Sequence, residues 1–175
     1  MYFLSEESVF EHKAYLANLK LKYSILEKSI PSVKGRTLEE IYKLRLSKAE
    51  RRELTELYCE IRLHELFFTS FSEHRGIPSQ YIEKKYSGCA AFLHELSTEA
   101  KRLSFGFVCY CVSHKEGVVI SSRNYEEIFA CGEPIIAIDV FEHAYFRDFG
   151  FDKGSYIRAA LSALDLSRID KFVFG

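Results

Sequence analysis

An aspartate and a histidine stand four residues apart directly after an apolar run. Asp139 and His143 follow the Ile-Ile-Ala-Ile sequence of residues 135–138. A strand that ends in a carboxylate and leads into a turn or helix carrying an imidazole brings together two ligand types that bind iron, manganese or zinc. The pair can also serve as a cap at the end of the strand. The spacing therefore predicts either half of a metal site or a strand-end cap.

A second histidine, His64, falls on the apolar side of a predicted helix. Apolar residues recur around it at helical spacing, among them Leu57, Ile61, Phe67 and Phe68. A histidine in this setting is a core residue or a ligand that faces the interior. Taken alone, the helix pattern favours a core histidine. The presence of Asp139 and His143 elsewhere in the chain favours a ligand.

The elements that position these residues are helices in the first half of the chain. Ser5 can cap a long first helix that Pro31 and Gly35 end. Thr37 and Ser47 are each followed three residues later by glutamate, which predicts two capping boxes, the first starting a short helix to about Leu46. Gly76-Ile77-Pro78 interrupts the third helix, and residues 79–85 and 89–102 are again helical in pattern.

The second half changes character. Residues 105–112, 117–121 and 133–139 are β-branched or aromatic runs, and His114-Lys115-Glu116-Gly117 supplies a hairpin turn. Residues 155–164 and 167–172 return to a helical pattern. We predict an α+β fold, with a long antiparallel helical hairpin in a domain of residues 1–86. Residues 87–175 form a three-stranded antiparallel sheet with flanking helices.

Composition makes two classes of partner less expected. The chain has 24 basic and 25 acidic residues among 175, with a formal net charge of −1. This balance gives no electrostatic reason to expect nucleic acid or an anionic membrane. The first residues lack the pattern of a secretion signal, and the five cysteines are odd in number and lack zinc-ribbon spacing, which favours reduced thiols over a disulfide framework. We expect a cytoplasmic protein with reduced thiols.

Several separated motifs resemble one known family in the same order. Residues 139–145, Asp-Val-Phe-Glu-His-Ala-Tyr, differ by one residue from the Asp-Val-Trp-Glu-His-Ala-Tyr signature of the iron/manganese superoxide dismutases. Residues 11–19, 34–41, 62–68 and 104–107 are similar to further motifs of that family. The resemblance implies one iron or manganese ion per subunit, bound by three histidines and one aspartate.

Transferring the ligands residue by residue gives His64, Asp139 and His143. The family places its first ligand histidine two helical turns before a tyrosine that matches Tyr15, and Glu7 stands there. An alternative alignment, which matches Leu4-Ser5-Glu6-Glu7-Ser8 to the family and deletes about five residues, makes His12 the candidate. Without that alignment, we expect His12 at the surface. Glu7 can equally be a favourable charge at a helix N-terminus.

The resemblance also implies roles around the ion. Tyr15 stands at the gateway tyrosine, and Glu60 and Tyr125 stand at the two positions that can supply the family's active-site glutamine. Phe107 and Phe141 replace two tryptophans, Glu11 stands at the gateway histidine, and Phe146 replaces a tyrosine. Glu142 matches the glutamate that bonds the ligand histidine of the partner subunit, which implies a homodimer.

The resemblance predicts a dismutase that converts superoxide to dioxygen and hydrogen peroxide with an atypical ligand set. The replacements at residues 7, 11, 60 and 146 favour an alternative: a homologue without dismutase activity that acts as a metal-binding or dimeric interaction protein. Metal content and superoxide scavenging separate the two.

Overall fold

The computed structural model describes residues 3–72 and 79–175. Its first part is a pair of long helices, α1 (Glu6–Ser29) and α3 (Lys48–Thr69), which pack against each other. A short 3₁₀ helix (Pro31–Val33) and α2 (Leu38–Lys43) connect them. The helical hairpin predicted from the sequence is confirmed. The break predicted at Gly76-Ile77-Pro78 lies outside the described residues.

Local hydrogen bonds explain where these helices begin. The Ser5 hydroxyl accepts a hydrogen bond from the amide of Ser8 at 3.1 Å, and both predicted capping boxes form, at Thr37 and at Ser47. α2 ends at Lys43, three residues earlier than predicted, because Leu44 is already extended. Each cap depends only on residues within one turn, which is why the sequence reveals it.

The second part begins with α4 (Gln80–Tyr86) and α5 (Cys89–Arg102), which precede the sheet. The strands are β1 (Phe107–Ser113), β2 (Glu116–Ser122) and β3 (Glu133–Asp139), antiparallel in the order β2-β1-β3. β1 and β2 join through His114 and Lys115, which both adopt positive φ. A helix that the sequence patterns did not predict, α6 (Tyr125–Ala130), separates β2 from β3.

Three helices complete the described chain: α7 (Glu142–Phe149), α8 (Lys153–Ala163) and α9 (Ser167–Phe174). β1 is central in the sheet, and its residues from Phe107 to Val112 are buried. The largest hydrophobic cluster joins the sheet to Leu63 and Phe67 of α3. The α+β fold is confirmed, whereas the division into domains at residues 86 and 87 stays a prediction.

Asp139 is the last residue of β3 and is buried, and the sheet register fixes its position. Asp139 pairs with Phe107 at the start of β1. Gly106, the residue before Phe107, has φ 132°, and its carbonyl oxygen accepts a hydrogen bond from the amide of Val140 at 2.9 Å. A Cβ on Gly106 would lie 2.4 Å from the carbonyl oxygen of Ser122, so only glycine fits there. This close packing fixes the end of β3 against β1 and thereby the aspartate.

Candidate metal centre

Four side chains from four elements converge at one point between the helical hairpin and the sheet. They are His12 of α1, His64 of α3, Asp139 of β3 and His143 of α7. One ligand atom of each lies within 4.8 Å of the others. Within the described part of the chain, this is the one group of three or more such residues close enough to share an ion.

The distances fit a single ion. The Nε2 atoms of His12, His64 and His143 lie 3.2, 3.4 and 3.1 Å from Oδ2 of Asp139. Nε2 of His64 and Nε2 of His143 are 3.3 Å apart. Nitrogen and oxygen ligands that each lie about 2.0–2.2 Å from one ion are separated from one another by roughly 3–3.5 Å. These four separations are those expected for ligands of one ion, and the whole group lies within 4.8 Å.

Neighbouring groups leave the inward-facing atoms free for an ion. Nδ1 of His64 lies 2.8 Å from the carbonyl oxygen of Glu60, and donating there keeps the proton off Nε2. Oδ1 of Asp139 accepts a hydrogen bond from the amide of Phe141 at 2.8 Å, so Oδ2 faces the imidazoles. These contacts orient two of the four ligands.

His12 provides independent support for the fit. It is 2% exposed, and neither ring nitrogen has a hydrogen-bond partner among the described residues, although Nε2 lies 3.2 Å from Asp139. A buried polar atom without a partner is costly. An ion bound at Nε2 would remove that cost for Nε2. The expectation that His12 lies at the surface is wrong.

Burial and charge act in opposite directions on the titrating groups. Burial raises the pKa of Asp139, but hydrogen bonding and charge from the imidazoles lower it more, and the result lies well below the ordinary value. Burial lowers the pKa of His64. For His143, burial lowers the pKa, and the contact with Asp139 raises it above the ordinary value. Asp139 is thus held ionised, as a metal ligand requires.

Glu7, the other candidate for the fourth ligand, is not part of the cluster. It is exposed and lines a separate cavity with Glu6, Phe10, Glu11 and Arg147. At about 100° per residue, Glu7 points roughly 140° away from His12 around α1. The sequence signal for His12 was its register with the buried residues Leu16 and Leu19, four and seven positions further on.

Tyr15, Glu60 and Tyr125 lie on one side of the cluster. The Tyr15 hydroxyl donates a hydrogen bond to Oε1 of Glu60 at 2.6 Å, and the Tyr15 ring lies 4.7 Å from the His143 ring. Burial, the Glu60 carboxylate and the hydroxyl of Tyr15 raise the pKa of Tyr125. The three residues predicted from the sequence are therefore neighbours.

Two phenylalanine rings form an adjoining wall, in contact with the ring of Tyr125. The Phe107 ring meets the His64 ring edge-on at 5.1 Å, and the Phe141 ring stacks on His143 at 5.6 Å. Beneath the cluster, the buried Tyr156 hydroxyl donates to the carbonyl oxygen of Asp139 at 2.5 Å. Tyr156 was not predicted, because no local pattern connects α8 to the end of β3.

A cavity of about 260 Å³ connects the cluster with the surface. Its walls include Glu11, Glu142, Phe146 and Arg147 beside His12, Tyr15 and His143. Nη1 of Arg147 lies 2.6 Å from Oε1 of Glu11, and His143 is the one ligand whose side chain is substantially exposed, at 33%. A small molecule would reach the cluster from this side.

Comparison with known proteins gives the family context. The family described as iron/manganese superoxide dismutases, C-terminal domain, matches residues 75–172. An iron superoxide dismutase of Cupriavidus metallidurans is 25% identical over 130 residues, which are 70% of this chain and 66% of the relative. A manganese superoxide dismutase 1 of Halobacterium salinarum is 29% identical over 110 residues, 59% of this chain and 55% of the relative.

A third relative matches a longer part of the chain. The chloroplastic iron superoxide dismutase 1 of Arabidopsis thaliana is 25% identical over 160 residues, 87% of this chain and 73% of the relative. The chain spans just under two thirds of the length of the first relative and about half of the second. No helix in the described parts is both long and apolar enough to cross a membrane.

Proposed function

Since the chain belongs to the iron/manganese superoxide dismutase family, we propose that it converts two superoxide anions and two protons to dioxygen and hydrogen peroxide. His12, His64, Asp139 and His143 would hold one iron or manganese ion. The observation that carries the proposal is the convergence of three Nε2 atoms on Oδ2 of Asp139 at 3.1–3.4 Å. When bound, the ion supplies the one-electron redox chemistry that dismutation needs.

The residues of the chain prepare the site for this chemistry. Asp139 supplies a negative charge that offsets the charge of the ion, and Tyr156 and the amide of Phe141 hold it in position. Phe107 and Phe141 exclude water from one side of the imidazoles. The cavity beside His143 admits the small anion, and the Tyr15 hydroxyl lies close to the point where protons are needed.

One observation favours the alternative of a metal-binding homologue with little turnover. Glu60 stands at one of the two positions that can supply the family's glutamine, which donates to the solvent on the ion, and an ionised carboxylate cannot donate, whereas the hydroxyl of Tyr125 at the other position can. A negative charge at this position would also favour the higher oxidation state of a bound ion. In this alternative, His12, His64, Asp139 and His143 hold the ion as a structural group.

The test is metal analysis of the purified protein combined with superoxide decay after pulse radiolysis. We expect one iron or manganese ion per chain and a second-order rate constant on the order of 10⁸–10⁹ M⁻¹s⁻¹, the diffusional range. The double variant His64→Ala/Asp139→Asn is the control and should lose both the bound ion and the accelerated superoxide decay. Bound ion without accelerated decay supports the alternative, and protein that takes up neither metal overturns both functions.

We also propose a homodimer in which the two cavities face each other. The supporting observation is a surface beside the cavity with Phe146 at 46% exposure and Phe151 at 94%, their rings in contact at 5.2 Å. Glu142 next to it is exposed and has no hydrogen-bond or ion-pair partner in the described chain. Sedimentation of wild type and Phe151→Ser tests this, with a lower mass expected for the variant.

A cytoplasmic location stays a prediction. All five cysteines are free, which is typical of proteins in a reducing compartment. Detection of the tagged protein in fractionated cells of its source would test it.

A further inference from the structure

A groove lies between α3 and α9, on the side of α3 that faces away from the four-residue cluster. It comprises two overlapping cavities of about 470 and 250 Å³, which we call together the α3–α9 groove. Both cavities are lined by Arg62 and Leu66 of α3, by Glu133 and Pro134 of β3, and by Arg168 of α9. At about 100° per residue, Leu66 is turned roughly 160° from His64 around the helix. The groove is therefore separate from the candidate metal centre.

Hydrogen bonds between main-chain and side-chain groups fix one end of the groove. The amide of Asp165 donates to the carbonyl oxygen of Ser70 at 2.9 Å, and Nη1 of Arg168 donates to the carbonyl oxygen of Thr69 at 2.6 Å. From Thr69 back to Arg62, the wall formed by α3 extends about 10 Å at 1.5 Å per residue. Because these bonds hold the start of α9 against the end of α3, the walls of the groove are formed before any ligand binds.

Apolar side chains form the bed of the groove. They are Leu66, Pro134, Ile135 and Phe172, with Phe129 at the smaller cavity. Phe172 follows Arg168 by about one turn of α9 and is 48% exposed. A ligand on this bed would remove part of the Phe172 ring from water, which is favourable for an apolar group. The bed therefore fits the apolar part of a ligand.

The cations of the groove have few partners within the chain. Among the described residues, Lys171 makes no ion pair, and Arg168 donates only to an uncharged main-chain carbonyl. The one ion pair of Arg62 is long, with Nη1 3.5 Å from Oε2 of Glu65. Oε1 of that carboxylate lies 2.7 Å from Nζ of Lys20, which is the closer partner. Three positive charges are therefore available to a ligand.

The other acids of the groove offset these charges only in part. Asp165 accepts hydrogen bonds from the amide and the hydroxyl of Ser167 at 3.1 and 2.6 Å. Glu133 has neither an ion pair nor a side-chain hydrogen bond within the described chain. The unpaired charges of the groove are thus three cations and one carboxylate. This balance favours an anion, and Glu133 lowers its affinity.

We propose that the α3–α9 groove binds a small organic anion, in which a carboxylate or phosphate group is attached to an apolar body. The guanidinium groups of Arg62 and Arg168 bind the anionic group, since a planar guanidinium pairs with either oxyanion through two hydrogen bonds. The apolar body lies on Leu66 and Phe172. The cavity volume lies in the range of small-molecule sites. None of these residues belongs to the four-residue cluster, so the proposal does not depend on the proposed function.

The first test is isothermal titration calorimetry with four probes. Octanoate and octyl phosphate combine an anionic group with an apolar chain, octylamine has the same chain with a positive charge, and acetate lacks the chain. The better of the two eight-carbon anions should bind with a dissociation constant of about 0.1–1 mM, as expected for roughly ten non-hydrogen atoms. Octylamine and acetate should bind at least tenfold more weakly. Tighter binding of octanoate identifies a carboxylate ligand, and tighter binding of octyl phosphate identifies a phosphate ligand.

The second test changes the charges of the groove. Lys171→Gln and Arg62→Gln should each weaken binding of the better anion about three- to fivefold, as expected for partly exposed charge pairs. Glu133→Gln should act in the opposite direction and strengthen binding about twofold, because a like charge is removed. Lys101→Gln removes an exposed positive charge on α5, away from the groove, and is the matched control that should leave affinity unchanged.

The third test changes the apolar bed. Phe172→Ser should weaken binding about fivefold, because the ring no longer covers the chain of the ligand. Phe174→Ser is the matched control, since Phe174 is 62% exposed on the same helix but lines neither cavity. Thermal unfolding followed by circular dichroism shows that each variant is folded. Absence of binding to either eight-carbon anion, equal binding of octylamine, or affinity that Lys171→Gln and Phe172→Ser leave unchanged overturns the proposal.

Discussion

The hydroxyl of Tyr15 donates a hydrogen bond to Oε1 of Glu60 across 2.6 Å, and this bond joins α1 to α3 beside the four-residue cluster. Burial and the Glu60 carboxylate raise the pKa of Tyr15 above its ordinary value, so the phenol stays protonated. Because the carboxylate holds the proton of Tyr15 directed towards itself, neither residue is free to donate in the way a glutamine would. The bond therefore leaves neither Tyr15 nor Glu60 as a donor towards the cluster.

We predict that Glu60→Gln raises the reduction potential of the bound ion and accelerates superoxide decay. Removing a negative charge near the ion favours its lower oxidation state, and the amide can donate a hydrogen bond. An increase in rate on the order of tenfold is expected, as for other groups that surround metal ligands. Redox titration and pulse radiolysis measure the two effects. Glu53→Gln, an exposed change on the same helix, should alter neither, and an unchanged potential in Glu60→Gln would contradict the prediction.

The identity of the fourth ligand can be tested by replacing each of the two candidates on α1 in turn. His12→Ala removes a buried imidazole from the cluster and should lower metal affinity at least tenfold. Glu7→Gln alters an exposed side chain that points away from the cluster and should leave metal content unchanged. Competition with a chelator, followed by metal analysis, measures both. Metal loss in Glu7→Gln with normal retention in His12→Ala would reverse the assignment.

Features that depend on residues close together in the sequence could be predicted, whereas features that depend on distant residues could not. The capping boxes at Thr37 and Ser47 depend on residues within one turn, and both were predicted. α6 was missed because it has only six residues, although Asn124 is followed three residues later by Glu127, whose carboxylate accepts hydrogen bonds from the side chains of Ser122 and Asn124. Short helices of this kind depend on packing against α3 and the sheet, which no local pattern reveals.

The candidate site was predictable to a similar degree. His64, Asp139 and His143 stand in motifs without gaps, and the structure brings all three together. The choice between Glu7 and His12 depended on the register of α1, which is fixed by which side of the helix is buried against α3. An alignment anchored on Tyr15 alone gives Glu7, whereas the burial of Leu16 and Leu19 brings His12 to the interior.

One cysteine should react with a thiol reagent faster than the other four. Cys131 is exposed, Cys89 is half-buried and burial raises the pKa of its thiol, and Cys59, Cys109 and Cys111 are buried. Burial raises the pKa of Cys59 and of Cys111 to about 12, and therefore their thiolates are scarce at pH 8. A chromogenic disulfide reagent should show one fast phase in the folded protein, and Cys131→Ser should remove it. Two or more fast phases in wild type would show that a second cysteine is accessible.

Asp170 is expected to stabilise the fold in a way that depends on pH. It accepts hydrogen bonds from the Ser79 hydroxyl at 2.6 Å and from the amides of Gln80 and Tyr81 at 2.8 and 3.1 Å. Burial raises its pKa, but these bonds lower it more. A lowered pKa means that the stabilisation is present above the unfolded pKa, about 3.9, and is lost as pH falls through the folded value.

Asp170→Asn should therefore lower the free energy of unfolding by about 1–2 kcal/mol between pH 5 and 8, with a smaller difference below about pH 4. Urea unfolding at several pH values measures it. Glu95→Gln, an exposed change on α5, should show little difference at any pH. A loss in Asp170→Asn that does not diminish below pH 4 would indicate that packing, rather than the carboxylate charge, is responsible.

Tyr156 is expected to hold the backbone of the candidate ligand Asp139 in position. Its hydroxyl donates to the carbonyl oxygen of Asp139 at 2.5 Å, and the side chain is fully buried. Tyr156→Phe should lower the free energy of unfolding by about 1–2 kcal/mol, because a buried hydrogen bond is lost without a change in shape. It should also weaken metal binding up to tenfold, because the end of β3 is held less firmly.

The matched control is Tyr145→Phe. The Tyr145 ring stacks on Tyr156 at 5.0 Å, but its hydroxyl has no hydrogen-bond partner among the described residues. The change should therefore leave both stability and metal affinity close to wild type. Urea unfolding of the metal-free proteins isolates the stability effect, and chelator competition isolates the effect on the ion. Equal losses in the two variants would show that the aromatic stack, rather than the hydrogen bond to Asp139, supports the site.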